Sequence, residues 1–488
     1  MKNNIKFYLL SLILLVTPII LANVYYIDDI GRSILGYTFW GTDGRPLADY
    51  IMSALMFNVR MVDIAPLPLL ISCLLLSVAF YIFHKKFLHT NKFSNFIPLA
   101  FLLNPFLMEI FSYRFDSLTI NSAIFLCFAF ISVNIKHSCY NPLFKTLLTI
   151  GIFSLYQPVI NTLVVFLVIE LLHGMEKKKT PVMVFKQSAL SLISLILGAS
   201  LYLKVVLPLT LASGDEPNHP RIAGDVIDKV ISNGLAYLDF INKNIAPEPV
   251  GKFVFPLAGA ISLTFAIILA YRYYNAKKSK SGLAISLLAI IAMMLAPIGA
   301  LSSLLLLENP LTNFARVYIG ISAYMLLLFF SMTIVFKDKI ITSIIVAVLF
   351  LYVLVFSFAY GNALKSQDAL DKNLVQSIKV ETKGIDYNVS YIVFNGSPPL
   401  SKVLSNTEIN FPLIRTLVIT YFGNWMWAYQ YMVINGLTQK DPGYGTEIVN
   451  SSIIHFCEFE LVSVTQDFEI YKKDSVLVIN FEKNFCKK

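Results

Sequence analysis

Two neighbouring aspartates stand immediately after the first apolar run of the chain. Asp28 and Asp29 follow an apolar stretch between positions 5 and 24, and Arg32 comes one helical turn later. Gly44 and Arg45 then place a second cation on a predicted turn of the same loop. A carboxylate beside guanidinium groups can withdraw a proton from a hydroxyl while the cations hold an anion such as a phosphate. The pattern predicts a general base next to a phosphate site.

The two aspartates are not equivalent if a helix continues through them. Successive side chains on a helix point about 100° apart, so only one of Asp28 and Asp29 should face a site. The sequence does not choose between them as the base. A simpler reading of the same pair is a helix N-cap with a solvated neighbour.

Polar residues recur at three later points where the chain is predicted to turn back into the apolar region. Any one of these corners could be an interface anchor, since Tyr and Arg favour that depth. A guanidinium at membrane depth is costly and usually functional, so the arginines are predicted to bind phosphate together with Arg32 and Arg45. The corners contain Arg114 and Asp116, then Tyr156 and Gln157, and finally Glu308, Arg316 and Tyr318.

The composition indicates that these residues belong to a polytopic membrane protein. Hydrophobic residues make up 56% of the 488 and charged residues 14%, and the mean hydropathy is +0.68. A water-soluble domain of this size could not present enough polar surface. The net charge of +9 is explained by lysine-rich loops on one side of a membrane rather than by nucleic-acid binding.

Apolar runs long enough to cross the bilayer predict about eleven transmembrane helices. The two runs that flank residues 157 and 158 could instead form one re-entrant pair, so the number of spans between 143 and 172 stays open. The predicted spans are 5–24, 66–83, 96–113, 117–135, 143–157, 158–172, 184–210, 253–271, 283–305, 318–336 and 340–358.

Lysine and arginine fall in every second loop, which places the N-terminus on the cytoplasmic side. Most acidic residues then fall on the opposite side, which is predicted to be the face where chemistry occurs. The membrane region is predicted to cover residues 1–358, with outer loops at about 25–65 and 211–252. The second loop contains Asp215 and Glu216 and a spacing that suits an amphipathic helix on the membrane surface.

Residues 359–488 are predicted to form a separate α/β domain on the outer side. Short β-rich runs alternate there with turn sequences, and hydropathy falls sharply at its start. Trp425 and Trp427 could form either a sugar-stacking platform or part of a core. Cys457 and Cys486 could form a disulfide in an oxidising compartment or remain two thiols. We expect no metal site and no cofactor, since no cluster has metal-ligand spacing.

These motifs together resemble the GtrII-type glucosyltransferases, the serotype-converting enzymes of phages and enteric bacteria. The resemblance extends through about residue 336 and does not include the outer domain. It is carried by Asp28-Asp29-x-x-Arg32, Trp40, Gly44-Arg45-Pro46-Leu47, Ser154-Leu155-Tyr156-Gln157-Pro158 and Ala315-Arg316-Val317-Tyr318.

The resemblance implies an integral membrane glucosyltransferase of the GT-C type in the bacterial inner membrane. Its donor would be undecaprenyl-phosphate glucose and its acceptor a sugar of lipid-linked O-antigen, with transfer on the periplasmic face. A small flippase and a cytoplasmic polyprenyl-phosphate glucosyl synthase would supply the donor. The expected reaction is a single inverting displacement. Substrate binding would fall to Trp40, Asp116, Tyr156, Gln157, Glu308 and Tyr318.

The main alternative is a transporter or flippase of lipid-linked sugars. Such a protein is expected to carry charges near the middle of its spans and broken helices at matching places in two halves. The sequence shows almost no charge at mid-span and no half repeat. The pattern therefore favours the enzyme.

Overall fold

The long apolar runs form helices, and capping residues or prolines fix the starts of several of them. The structure is a computed structural model that describes residues 2–88, 92–135, 140–211, 220–245, 251–336, 339–385, 390–437, 447–483 and 485–487. At one helix start, the Thr180 hydroxyl accepts a hydrogen bond from the backbone N–H of Met183, and Pro181 occupies the first helical position. Such a cap satisfies an otherwise free N–H at the helix start.

The α-helices are numbered here in chain order. They are α1 (Lys2–Ala22), α2 (Asp28–Leu35), α3 (Pro46–Met56), α4 (Leu67–Phe87), α5 (Leu107–Ser112), α6 (Asp116–Ser132), α7 (Asn141–Leu155), α8 (Ile160–Glu176), α9 (Pro181–Leu201), α10 (Leu207–Thr210), α11 (Val226–Ile245), α12 (Gly251–Lys277), α13 (Lys280–Gly299), α14 (Ser302–Leu305), α15 (Gly320–Phe336), α16 (Lys339–Glu381), α17 (Lys402–Asn410), α18 (Pro412–Leu417), α19 (Met426–Ile434) and α20 (Glu447–His455). Short 3₁₀ segments lie at Lys92–Leu103, Gln157–Val159, Ala315–Ile319, Phe456–Glu458 and Phe485–Lys487, and a π-helical turn lies at Tyr202–Val206.

Eight helices in the described part of the chain are long and apolar enough to cross a membrane. Three shorter apolar helices, at Phe93–Leu103, Asp116–Ser132 and Asn141–Leu155, occupy the positions of the other predicted spans. The membrane class of the protein is thus supported, and the total of eleven spans stays a prediction. A 3₁₀ turn at Gln157–Val159 separates α7 from α8, so each is a helix of its own.

An aromatic core holds the bundle together. Phe128 lies at its centre, with its ring centroid 4.8 Å from that of Phe166, 5.2 Å from that of Phe101 and 5.6 Å from that of Phe80. All four rings are fully buried. Edge-to-face contacts of this kind add to the stability that burial of aromatic area already provides.

The predicted outer loop 211–252 contains the amphipathic helix expected from its sequence. Helix α11 buries Tyr237 and Ile241 against the bundle and leaves Ile227, Ile231 and Leu235 exposed on another face. Asp215 and Glu216 lie outside the described residues. An exposed apolar stripe on such a helix is typical of a segment that rests on a membrane surface.

The C-terminal part contains a four-stranded sheet of order β1-β4-β3-β2. Its strands are β1 (Tyr391–Asn395), β2 (Glu460–Val464), β3 (Glu469–Lys473) and β4 (Val476–Asn480). Strands β1 and β4 pair in parallel, and the other pairs are antiparallel. Cys457 and Cys486 form a disulfide. Helix α16 runs through the boundary predicted at residues 358 and 359 without a break.

Candidate active site

The two aspartates after the first span begin helix α2 but face different surroundings. Asp29 is fully buried, and its carboxylate accepts hydrogen bonds from the backbone N–H groups of Arg114, at 2.9 Å, and Phe115, at 3.4 Å. Burial raises the pKa of Asp29 to about 8, against the lowering effect of the Arg114 N–H. Asp29 thereby fixes the turn that leads into α6.

Asp28 is the accessible member of the pair. Its side chain is 24% exposed, and its Oδ2 lies 3.8 Å from the Nη1 of Arg32. Both residues stand on α2, one turn apart. The oxygens of Asp29 are occupied by backbone donors, whereas the side chain of Asp28 is accessible.

Asp116 stands at the centre of a buried group of charges. Its Oδ2 accepts a hydrogen bond of 2.7 Å from Arg32, and its Oδ1 accepts one of 2.8 Å from the indole Nε1 of Trp40. The Nη1 of Arg45 lies 3.7 Å from the same Oδ1. The Arg32 guanidinium also lies 4.2 Å from the centre of the Trp40 ring. One carboxylate thus orients two predicted phosphate ligands and a predicted substrate contact.

Arg45 is held on a tight turn. It pairs with Asp43, and Gly44 between them has φ of +77°, a backbone conformation that other residues rarely adopt. The hydroxyl of Tyr202 donates to the carbonyl of Gly44 at 2.7 Å. The amide of Gln157 donates to the hydroxyl of Tyr202 at 3.0 Å and to the carbonyl of Asp43 at 3.3 Å.

Arg316 is held by Glu109, a residue to which the sequence analysis gave no role. The Oε2 of Glu109 accepts from the backbone N–H of Arg316 at 2.8 Å, and its Oε1 lies 3.8 Å from the Nη1 of Arg316. The guanidinium lies 4.8 Å from the ring centre of Tyr113. Glu109 is almost fully buried. The sequence gives one indication that Glu109 has a role, because Glu109 is a charged residue within the apolar run from Phe106 to Phe111.

Arg45 and Arg316 line one cavity of about 440 Å³. Tyr156 and Gln157, two predicted substrate contacts, line it as well, together with Tyr202. Most of the remaining wall is apolar, formed by Phe153, Leu203, Leu207, Ile222, Leu304, Leu306, Leu307, Leu311, Phe314 and Val317. The cavity therefore combines cations with a surface suited to a hydrocarbon chain.

The other predicted residues lie apart from this cavity. Arg114 donates to Asp63 at 2.6 Å and to the side chain of Asn23 at 2.8 Å, which ties the end of α1 to the following loops. Tyr318 is fully buried, with its ring centroid 5.0 Å from those of Phe106 and Phe240.

Glu308 is exposed and lies in the loop that follows α14. Its backbone N–H donates to the carbonyl of Arg221, and its own carbonyl accepts from Lys229. The structure therefore does not bring Glu308, Arg114 or Tyr318 to the cavity wall. The substrate and phosphate roles expected for these residues stay predictions.

The C-terminal part of the chain packs against helix α2, which carries Asp28, Asp29 and Arg32. The hydroxyl of Tyr421 accepts from the backbone N–H of Ile27 at 2.9 Å. A Cβ on Gly31 would come within 2.6 Å of the Oε1 of Gln430, so α2 and α19 are in close contact. In the described part of the chain, the Nε1 of Trp427 and the Oε1 of Gln430 are buried without a hydrogen-bond partner.

Comparison with known proteins identifies the family of the chain. Residues 17–310 match the sequence profile described as glucosyl transferase GtrII, a match that covers more than half of the chain. The chain is also 26% identical over 442 residues to an uncharacterized 55.3 kDa protein in the gtrB 5′ region of Salmonella phage P22. That alignment covers 88% of this chain and 90% of the phage protein. No solved structure matches the chain. The chain therefore belongs to the GtrII family of glucosyl transferases.

Proposed function

We propose that this protein transfers glucose from undecaprenyl-phosphate glucose to a sugar hydroxyl of the lipid-linked O-antigen repeat. The observation that carries the proposal is the cavity that joins Arg45 and Arg316 to an apolar wall. A polyprenyl-phosphate sugar needs both features, because its phosphate requires cations and its isoprenoid chain requires hydrocarbon contact. Family membership supports glucosyl transfer, and the cavity supports a lipid-borne donor.

The arginines act on the leaving group. When the bond between the anomeric carbon and the phosphate oxygen breaks, the phosphate departs with the electron pair and its negative charge grows. Arg45 and Arg316 line the cavity where that charge develops. Arg32 contacts the same Asp116 carboxylate as Arg45 and helps to position it. Positioned cations stabilise such a transition state more than the ground state.

Asp28 is the base. It withdraws the proton of the acceptor hydroxyl as that oxygen forms its bond to the anomeric carbon, which inverts the configuration in a single displacement. Its side chain is accessible, and Arg32 and Asp116 connect it to Arg45 at the cavity through contacts of 3.8, 2.7 and 3.7 Å. Asp29 instead holds the backbone of Arg114 and Phe115.

The transfer takes place on the periplasmic face of the bacterial inner membrane. The lysine-rich loops support a cytoplasmic N-terminus. The disulfide between Cys457 and Cys486 supports an oxidising compartment for the C-terminal domain. In this arrangement the segment of Trp427 and Gln430 covers the acceptor side. A flippase and a cytoplasmic synthase supply the donor.

The test is the mass of the O-antigen repeat in a smooth host that also expresses the donor-making partners. The native chain should add one hexose per repeat. Asp28→Asn should abolish the gain at equal membrane level, whereas Asp239→Asn, at an exposed ion pair with Lys243, should not. An unchanged repeat mass with the native chain across several O-antigen types would contradict the proposal.

A second variant separates the two aspartates. Asp29→Asn should keep part of the activity of the protein that reaches the membrane, since its role is to hold the backbone. A complete loss in Asp29→Asn with full activity in Asp28→Asn would assign the base to Asp29 instead.

A further inference from the structure

We propose that a second cavity, at the opposite end of the helical bundle, binds the phosphate headgroup of an anionic phospholipid. The cavity has a volume of about 420 Å³ and lies where α4, α7, α8 and α9 meet. Four lysines line it: Lys86, Lys145, Lys179 and Lys186. Binding at this place does not depend on the proposed sugar transfer.

Helix α8 gives the distance between the two cavities. It begins at Ile160, directly after Gln157 and Pro158 in the wall of the candidate active site. His173, near its other end, lines the lysine cavity. A rise of 1.5 Å per residue separates these positions by about 20 Å. The lysine cavity is therefore a separate site.

The charges around the lysine cavity do not cancel. Among the described residues that line the cavity, Glu170 is the one carboxylate, and it accepts a hydrogen bond of 3.0 Å from Lys145. Lys145 also donates to Ser191 at 2.6 Å, and Gln187 donates to Glu170 at 3.1 Å. Glu170 and Lys145 thus neutralise each other within a closed network.

The three remaining lysines contact only neutral acceptors in the described part of the chain. Lys86 donates to the carbonyl of Ile131 at 2.6 Å, and Lys179 donates to the side-chain oxygen of Gln187 at 2.8 Å. These acceptors are neutral, and each ammonium group has further N–H donors. Within the described residues, Lys86, Lys179 and Lys186 form no ion pair. A phosphate is the anion that lysines at a membrane edge bind best.

The surface beside the cavity favours a lipid over free phosphate. Met183 and Leu190 line the cavity and are 60% and 38% exposed. Ile193 and Leu197 continue the same face of α9 away from the lysines and are also about half exposed. An acyl chain can follow this strip while the headgroup phosphate meets the lysines. The site therefore fits the two parts of an anionic phospholipid.

The test measures lipid binding to the purified full-length protein by native mass spectrometry. Phosphatidylglycerol should bind, and the double variant Lys86→Gln/Lys186→Gln should bind it about 10-fold more weakly. The double variant Lys85→Gln/Lys280→Gln removes two exposed lysines outside the cavity and should bind as the native protein does. Equal unfolding temperatures would show that both variants are folded.

Three results would overturn the proposal. Equal binding of phosphatidylcholine and phosphatidylglycerol would show that charge is not recognised. Both double variants losing binding equally would show a diffuse surface effect. Displacement of the lipid by inorganic phosphate at matched concentration would assign the cavity to a soluble phosphate.

Discussion

The two ends of the helical bundle hold their cations in different ways. At the end of the bundle that contains the candidate active site, four arginines each face a carboxylate: Arg32 with Asp116, Arg45 with Asp43, Arg114 with Asp63, and Arg316 with Glu109. At the opposite end Lys145 pairs with Glu170, and the other three lysines described at that cavity form no ion pair. Arginine has a planar group that fixes direction, whereas lysine is a flexible point charge. The arginines of the first end, called here the arginine end, are therefore fixed in direction by their carboxylates, whereas most lysines described at the second end, the lysine end, are not.

The largest expected effect comes from removing Asp116, the carboxylate shared by Arg32 and Arg45. Asp116→Ala leaves two cations and an indole N–H without their acceptor, and Arg32 is only 5% exposed. An uncompensated buried charge should lower the free energy of unfolding by roughly 4–5 kcal/mol. Thermal unfolding in detergent measures this, with the exposed Asp239→Ala as a control that should cost at most about 1 kcal/mol. Equal stability of the two variants would contradict the difference drawn here.

At the lysine end, the loss of one residue, Glu170, should also leave a buried charge unpaired. Glu170→Gln removes the carboxylate from buried Lys145, so we expect a loss of about 3 kcal/mol in the free energy of unfolding. Lys186→Gln, at an exposed lysine of the same cavity, should leave the unfolding temperature almost unchanged. If Lys186→Gln proved as harmful as Glu170→Gln, the lysines would be structural and not available to a ligand.

Much of the fold could be predicted because apolar run length alone determines where long helices lie. Helix α11 and the strands of the C-terminal sheet also follow from local periodicity. The helical continuation past residue 358 was not predicted, because Gly361 stands directly after the apolar run and glycine is more typical of a helix end than of its interior. The fall in hydropathy after residue 358 marks where the helix leaves the apolar region, and the helix itself ends later, at Glu381.

The site was predicted less completely, because its pairs join residues that are distant in the sequence. Arg316 and Glu109 are 207 positions apart, and Arg32 and Asp116 are 84 apart. Residue types at turns indicated the arginines, but no local pattern indicated which carboxylate holds each one. Tyr202, which fixes the Gly44 turn, lies inside an apolar helix and carried no signal of its own.

The pH dependence of stability tests the burial of Asp29. The unfolded chain releases this proton near the ordinary aspartate pKa of 3.8, and the folded protein keeps it up to about pH 8. Because the folded state binds the proton more tightly, stability should fall as the pH rises through this window, by about 2 kcal/mol between pH 6 and 8. Asp29→Asn should remove this part of the dependence. An equal pH dependence in the native protein and in Asp29→Asn would contradict a raised pKa of Asp29.

The smallest expected effect tests whether the planar shape of the arginine side chain matters in addition to its positive charge. Arg45→Lys keeps a positive charge at the cavity but loses the planar fork, so kcat/KM for the lipid-linked donor should fall about tenfold, or about 1.4 kcal/mol. Arg316→Lys should behave similarly, since both residues line the cavity. Arg60→Lys, at an exposed position of the same outer loop, provides the matched control. If Arg45→Lys and Arg316→Lys were as active as this control, charge alone would suffice, and the arginine end would work in the same way as the lysine end.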